Sequence, residues 1–198
     1  RDYGADTLRL YEMFMGPLEV SKPWSDQGVE GARRFLNRVW AFFTEAENIV
    51  DGEVPALEKI YHKSVKKITE DFEKLGFNTA ISQMMIFIND CYKLGKVSRE
   101  MMTGFVKMLS CFAPHLGEEL YYNLTGGAEG SVAYAEWPAW DESKIVLQKV
   151  TVIIQVNGKM RGRFEADKDA DREVVEKKAM EAAAPYLEGK TVRKVIVV

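Results

Sequence analysis

The apolar residues of this chain change their spacing near residue 149, and that switch constrains the fold more than any other feature. Up to about residue 124 they recur at i, i+3 or i+4, and i+7, as helices with one face in a core require. A first helix is predicted over about Ala5–Met15, stopped by Gly16-Pro17. A second runs over about Gln27–Val50 on a stripe of Val29, Ala32, Leu36, Val39, Trp40, Phe43 and Val50. A third carries Leu57, Ile60, Tyr61, Val65, Ile68, Phe72 and Leu75, and a fourth extends to Tyr92 with Asn78 as its N-cap. Ser98 caps a fifth and Pro114 opens a sixth. Five or six helices with short joins imply an antiparallel bundle.

From Lys149 the pattern belongs to strands. Val150–Val156 is a β-branched run, Asn157-Gly158 is a two-residue hairpin signal, and Lys159–Glu165 is the return strand. A helix over about Asp171–Ala183 and a strand over Thr191–Val198 complete a ββαβ module. The expected class is therefore α+β, mainly α. Residues 1–24 form a helix and connection, 25–127 the bundle, 128–148 a linker docked by Trp137 and Trp140, and 149–198 a small α/β domain.

Charge follows the same division. The net charge of −3 conceals a tail (149–198) with 11 Lys/Arg against 8 Asp/Glu, net +3, and a body with 16 against 22, net −6. Apolar residues at 46% and charged residues at 29% match a globular protein, and no run approaches the length of a membrane span. Cys91 and Cys111, without a Cys-x-x-Cys spacing, read as buried thiols of a reducing compartment. The chain opens Arg1-Asp2-Tyr3 without an initiator Met, as a part of something longer would.

Two cationic constellations carry most of the chemical information. Arg33, Arg34 and Arg38 lie in the opening turns of the second helix, where cations oppose the helix dipole. Ordinary surface charge, with Glu30 pairing Arg34 one turn away, or an external polyanion would each offset that. In the return strand Lys159, Arg161 and Arg163 alternate with Met160, Gly162 and Phe164, so the pleat is expected to put all three cations on one face and the apolar residues on the other. Such a row suits phosphate-backbone contact, with Gly162 admitting a close approach and Lys190, Arg193 and Lys194 extending the patch. It equally suits an edge strand protected from aggregation.

Signals for catalysis are weak. His115 with Glu118 and Glu119 stands at a helix start, where a structural role is expected, and His62 has no partner in a catalytic pattern. Nucleotide-binding loops and nucleophile elbows are absent from these residues, and Met84-Met85 and Met101-Met102 read as core filler.

Several segments resemble one family. Tyr3-Gly4-Ala5-Asp6-Thr7-Leu8-Arg9-Leu10 resembles the segment after the Lys-Met-Ser-Lys-Ser loop of class I aminoacyl-tRNA synthetases. Gly28 to Leu36 with Arg38-Val39-Trp40, Phe77 to Ile81, and Phe112-Ala113-Pro114-His115 with Glu118-Glu119-Leu120 resemble in order the helical domain of leucyl-tRNA synthetases. The tail motifs Val156 to Gly162 and Leu187 to Val198 are similar to the C-terminal domain of the bacterial enzymes. The resemblance implies a C-terminal part of such a ligase. Its bundle would grip tRNA(Leu) through Arg33, Arg34 and Arg38, and its tail would touch the tRNA elbow through Asn157, Lys159, Arg161, Arg163, Lys190 and Arg193.

The resemblance also implies that ATP, Mg and the chemistry belong to a missing catalytic domain, leaving no cofactor, metal or catalytic residue here. The implied protein is cytoplasmic and monomeric, touches no membrane, and has as partners tRNA(Leu) and the catalytic and editing domains of its own chain. Two other readings compete: a protein-interaction helical module without RNA binding, and a hydrolase built on His115 and Glu118.

Overall fold

The computed structural model describes residues 3–145, 149–156, 158–167, 172–187 and 195. The chain divides into two compact units, Arg1–Ile145 and Val146–Val198. The fold is α+β and mainly α, as the two periodicities imply.

The first unit is built from α1 (Ala5–Phe14), α2 (Asp26–Thr44), α3 (Pro55–Glu73), α4 (Phe77–Leu94), α5 (Arg99–Ser110) and α6 (Pro114–Thr125), followed by the short α7 (Glu142–Ile145). Helices α3 and α4 pack together, as do α5 and α6, and α1 lies on both α2 and α4. Leu10, Val39, Val65, Ile81, Phe105 and Leu109 form the fully buried centre, with Met84 and Met102 filling it as expected of flexible side chains. Pro114 does open α6, and the Ser98 Oγ accepts the Met101 N–H at 3.1 Å to cap α5.

Five local expectations are corrected. Helix α2 stops at Thr44, where the Asn48 side-chain amide donates to the Phe42 carbonyl at 3.0 Å. Ile49–Val50 (β1) instead pairs in parallel with Val97–Ser98 (β2), so Val50 continues the apolar spacing without continuing the helix. The buried stripe of α2 includes Phe35 and Phe42, whereas Trp40 is exposed. Leu75 lies outside the α3 stripe in the left-handed region (φ 57°), while the Gly76 N–H reaches back to the Asp71 carbonyl at 2.7 Å. Asn78 does not cap α4: Gly76 precedes the helix, and Thr79 Oγ1 donates to the Gly76 carbonyl at 2.8 Å. Cys91 is buried, but Cys111 is exposed at the corner between α5 and α6, and both thiols are free.

The stretch after α6 folds back on the bundle. Val132 and Pro138 are buried, and the Trp137 indole donates to Thr69 Oγ1 at 2.8 Å with its ring 5.3 Å from Phe72. Trp140 donates to Glu142 at 3.2 Å, and Glu142 pairs with Lys66 on α3.

The second unit contains an antiparallel hairpin of β3 (Lys149–Val156) and β4 (Lys159–Asp167), with Gly158 at φ 75° in its turn. Helix α8 (Arg172–Leu187) packs on both strands, where Ile154, Ala166, Val175 and Ala183 are buried. It extends past the expected end at Ala183, through the helix-favouring Ala182–Ala184, to Leu187. The strand expected over Thr191–Val198 lies outside the described residues, apart from Val195.

Candidate nucleic-acid interface

Helix α2 begins where Ser25 Oγ accepts the Gly28 N–H at 3.2 Å. The Ser25 N–H donates to the Tyr11 hydroxyl at 2.7 Å, and a Cβ at Gly28 would fall 2.7 Å from the Tyr11 ring. Gly28 thus lets α1 and α2 approach closely, which fixes the direction in which α2 displays its polar face. That face carries the three arginines, and each meets a different environment.

Arg33 is half-buried and structurally engaged. Its Nη1 donates to the Tyr3 carbonyl at 2.8 Å and its Nε to Asn37 Oδ1 at 3.2 Å. Arg34 is exposed, and among the described residues it makes no hydrogen bond or ion pair, so the expected Glu30–Arg34 pair is not formed. Arg38, one turn on and also exposed, stacks its guanidinium 4.8 Å over the Tyr92 ring of α4. Arg34 and Arg38 therefore share a solvent-facing stripe with their side-chain N–H donors unspent on protein acceptors.

The hairpin departs from the alternation read in the sequence. Val156 pairs with Lys159 and Gln155 with Met160, but Ile154 pairs with Gly162, so Arg161 is an extra residue in a β-bulge. Directly opposed residues share a face. Lys159 therefore lies on the face of Val156, whereas Arg163, opposite Ile153, lies on the other face beside the exposed Met160. Arg161 stacks 5.3 Å over Tyr186 of α8. The three cations do not form one row, because the bulge resets the pleat between them. Gly162 faces Ile154, whose Cδ1 would lie 3.5 Å from an added Cβ, and not a cationic surface. Asn157, Lys190, Arg193 and Lys194 lie outside the described residues.

The remaining candidates are structural. His115 Nδ1 meets Asp6 Oδ1 at 2.8 Å, Glu118 accepts from Ser131 Oγ and the Val132 N–H at 3.0 and 3.1 Å, and Asn123 donates to Glu119 at 3.4 Å. His62 Nδ1 accepts the Asp141 N–H at 3.1 Å. Among the described residues no group of three or more His, Cys, Asp or Glu could hold a metal ion, and no helix is long and apolar enough to cross a membrane.

A family model described as the anticodon-binding domain of tRNA ligase matches residues 56–176, more than half of the chain. The chain belongs to this anticodon-binding domain family. A solved ternary complex of the leucyl-tRNA synthetase of Agrobacterium radiobacter K84 with tRNA and LeuAMS is similar to this domain in fold. The TM-score is 0.66 and the identity 23%, over 100% of this chain and 28% of that one.

The residues that sequence reasoning missed are the aromatic platforms, Tyr92 under Arg38 and Tyr186 under Arg161. Tyr92 ends an apolar helical pattern and carries no charge signal. The bulge did leave a trace, since a glycine inside a strand pattern often marks one, and Gly162 is such a residue.

Proposed function

We propose that this chain is the C-terminal, tRNA-binding part of a leucyl-tRNA synthetase, the cytoplasmic ligase that joins leucine to tRNA(Leu) with ATP. The observation that carries the proposal is the exposed pair Arg34–Arg38, one turn apart on α2 with unspent donors, in a chain whose residues 56–176 match the anticodon-binding domain of tRNA ligase. Two guanidinium forks on one stripe suit successive phosphates of a folded RNA, whose deep major groove hides its base edges. The resemblance of the tail to the leucyl enzymes, and the leucyl enzyme among its structural relatives, support the choice of tRNA(Leu).

In this proposal residues 25–127 grip the tRNA body and residues 149–198 reach its elbow, with 1–24 leading in from the catalytic domain and 128–148 joining the two. Arg34 and Arg38 contact phosphates and Arg33 holds α2 to the segment before α1. In the tail, Lys159, Arg161 and Arg163 contact the RNA from different faces of the hairpin, together with Asn157, Lys190 and Arg193. ATP, Mg and the reacting groups belong to the catalytic domain. The chain by itself is a monomer that performs no leucine-dependent ATP–pyrophosphate exchange.

Titration of the chain with tRNA(Leu) and with a non-cognate tRNA over a range of salt tests this reading. With about 3 to 5 phosphates contacted, log K falls with log salt at a slope of about −3 to −4. Absence of binding at low salt, or binding indifferent to salt, would overturn it.

A further inference from the structure

Arg34 and Arg38 share a stripe but are held differently, and the difference lies in one residue of another helix. Tyr92 stands in the last turn of α4 and is about two-fifths exposed, at 39%. Its hydroxyl donates to the Arg38 carbonyl at 2.8 Å. Its ring meets the buried Phe42, one turn after Arg38, edge-on at 4.9 Å and 61°. The Arg38 guanidinium lies over the ring at 4.8 Å. The ring is thus fixed at its hydroxyl and along an edge before the arginine is placed on it.

We infer that Tyr92 is a positioning residue for RNA binding: it holds the Arg38 guanidinium extended over a fixed ring so that its N–H fork is set for a phosphate. The inference rests on the reading of α2 as an RNA-contacting helix. An arginine side chain loses conformational freedom when it is immobilised by a ligand, and a platform that restricts it beforehand reduces that loss. A stacked guanidinium also keeps its in-plane donors available, because the ring contacts its face and not its N–H edge. A carboxylate partner would have consumed those donors and cancelled the charge. Among the described residues Arg38 has neither an ion pair nor a side-chain hydrogen bond. Arg34, with no such platform, must be ordered by the RNA itself.

The test is a double-mutant cycle in the 198-residue chain, reading the affinity for tRNA(Leu) transcript by anisotropy. Tyr92→Leu removes the platform, Arg38→Ala removes the cation, and the double variant closes the cycle. Tyr92→Leu is expected to weaken binding about two- to five-fold, the scale of one exposed cation–π contact. It should have no further effect in the Arg38→Ala background. Tyr92→Phe keeps the ring and should retain more affinity than Tyr92→Leu, and it serves as the folded variant if the leucine protein does not fold. In NMR spectra the Arg38 Hε resonance should move on Tyr92→Leu and stay near its original position in Tyr92→Phe.

Equal weakening by Tyr92→Leu with and without Arg38 would show a merely structural tyrosine and overturn the inference. Full affinity in Tyr92→Leu while Arg38→Ala binds weakly would overturn it and leave the RNA-binding reading intact. Undiminished binding by Arg38→Ala would take Arg38 out of the RNA interface and overturn the inference, while the RNA-binding reading stands or falls on the salt titration.

Discussion

Asp6 on α1 accepts the backbone N–H of Leu116 on α6 through Oδ2 at 2.8 Å, across 110 residues of sequence. Ala113, which precedes α6, offers no side-chain cap, so the carboxylate of another helix satisfies the first turn. On the same helix α1, Arg9 donates to the carbonyls of Phe112 and Cys111, both at 3.2 Å, where α5 ends. A negative group thus meets one helix start and a positive group the preceding helix end, each favoured by the local dipole. Replacing Asp6 by Ala should lower stability by about 1 to 2 kcal/mol, the scale of a lost cap. Asp6→Asn should keep most of it, since an amide oxygen still accepts. Chemical denaturation checks this, and equal midpoints for wild type and Asp6→Ala would contradict it.

Leu75 occupies the left-handed region at φ 57° and exposes 59% of its surface. A side chain there crowds the backbone and buries little in return, so Leu75→Gly should stabilise the chain by about 0.5 to 1 kcal/mol. A lower melting temperature for the glycine variant would show that leucine's contacts outweigh the backbone cost.

Ser64 and Gln83 form a buried polar pair between α3 and α4. Gln83 Nε2 donates to Ser64 Oγ at 2.9 Å, and Ser64 Oγ donates to the Ile60 carbonyl at 2.6 Å. Ser64→Ala leaves a buried amide donor unsatisfied and should cost about 1 to 3 kcal/mol. Replacing Gln83 by Leu in the same protein should recover much of the loss, since no orphaned donor then remains. A double variant less stable than Ser64→Ala would count against this account.

How far the sequence discloses such features depends on their range. The helices were legible because a buried stripe repeats every turn, and the hairpin because Asn157-Gly158 suits a left-handed turn. The ends of α2 and α3 were not, since Val50 and Leu75 keep the apolar spacing after the backbone has turned away. Capping of α6 by Asp6 depends on two residues brought together only by the packed bundle, and local rules cannot reach it. At the candidate interface, charge spacing singled out the arginines. Their surroundings diverge because the Tyr3 carbonyl engages Arg33, the Tyr92 ring lies under Arg38 and a single inserted residue at Arg161 separates the hairpin cations.

That divergence gives a prediction for the three arginines of α2. Arg34→Ala should reduce the salt slope of tRNA binding by about 0.7 to 0.9, one phosphate contact, with little change in melting temperature. Arg33→Ala should leave the slope unaltered and lower the melting temperature, because its guanidinium is committed to Tyr3 and Asn37. Salt titrations paired with thermal melts separate the two, and the reverse pattern would reassign Arg33 to the RNA.

His62 gives the chain a pH dependence whose sign follows from its surroundings. Burial on α3 holds the imidazole below its ordinary value and Lys144 adds to the fall, while Asp141, Glu58 and Glu100 oppose it. Its Nδ1 accepts the Asp141 N–H at 3.1 Å, a bond that protonation of Nδ1 abolishes. In the unfolded chain the ring binds a proton near pH 6.5, about its unperturbed value, and in the folded chain only at lower pH. Between those two values the unfolded state holds more protons, so stability falls as pH drops below about 6.5 and this contribution levels off beneath the folded value. The full contribution is present above that range. Thermal melts from about pH 7.5 to about pH 5.5 should show the decline, and His62→Gln, which still offers an acceptor to Asp141, should flatten it. A slope unchanged by His62→Gln would assign the pH dependence to other groups.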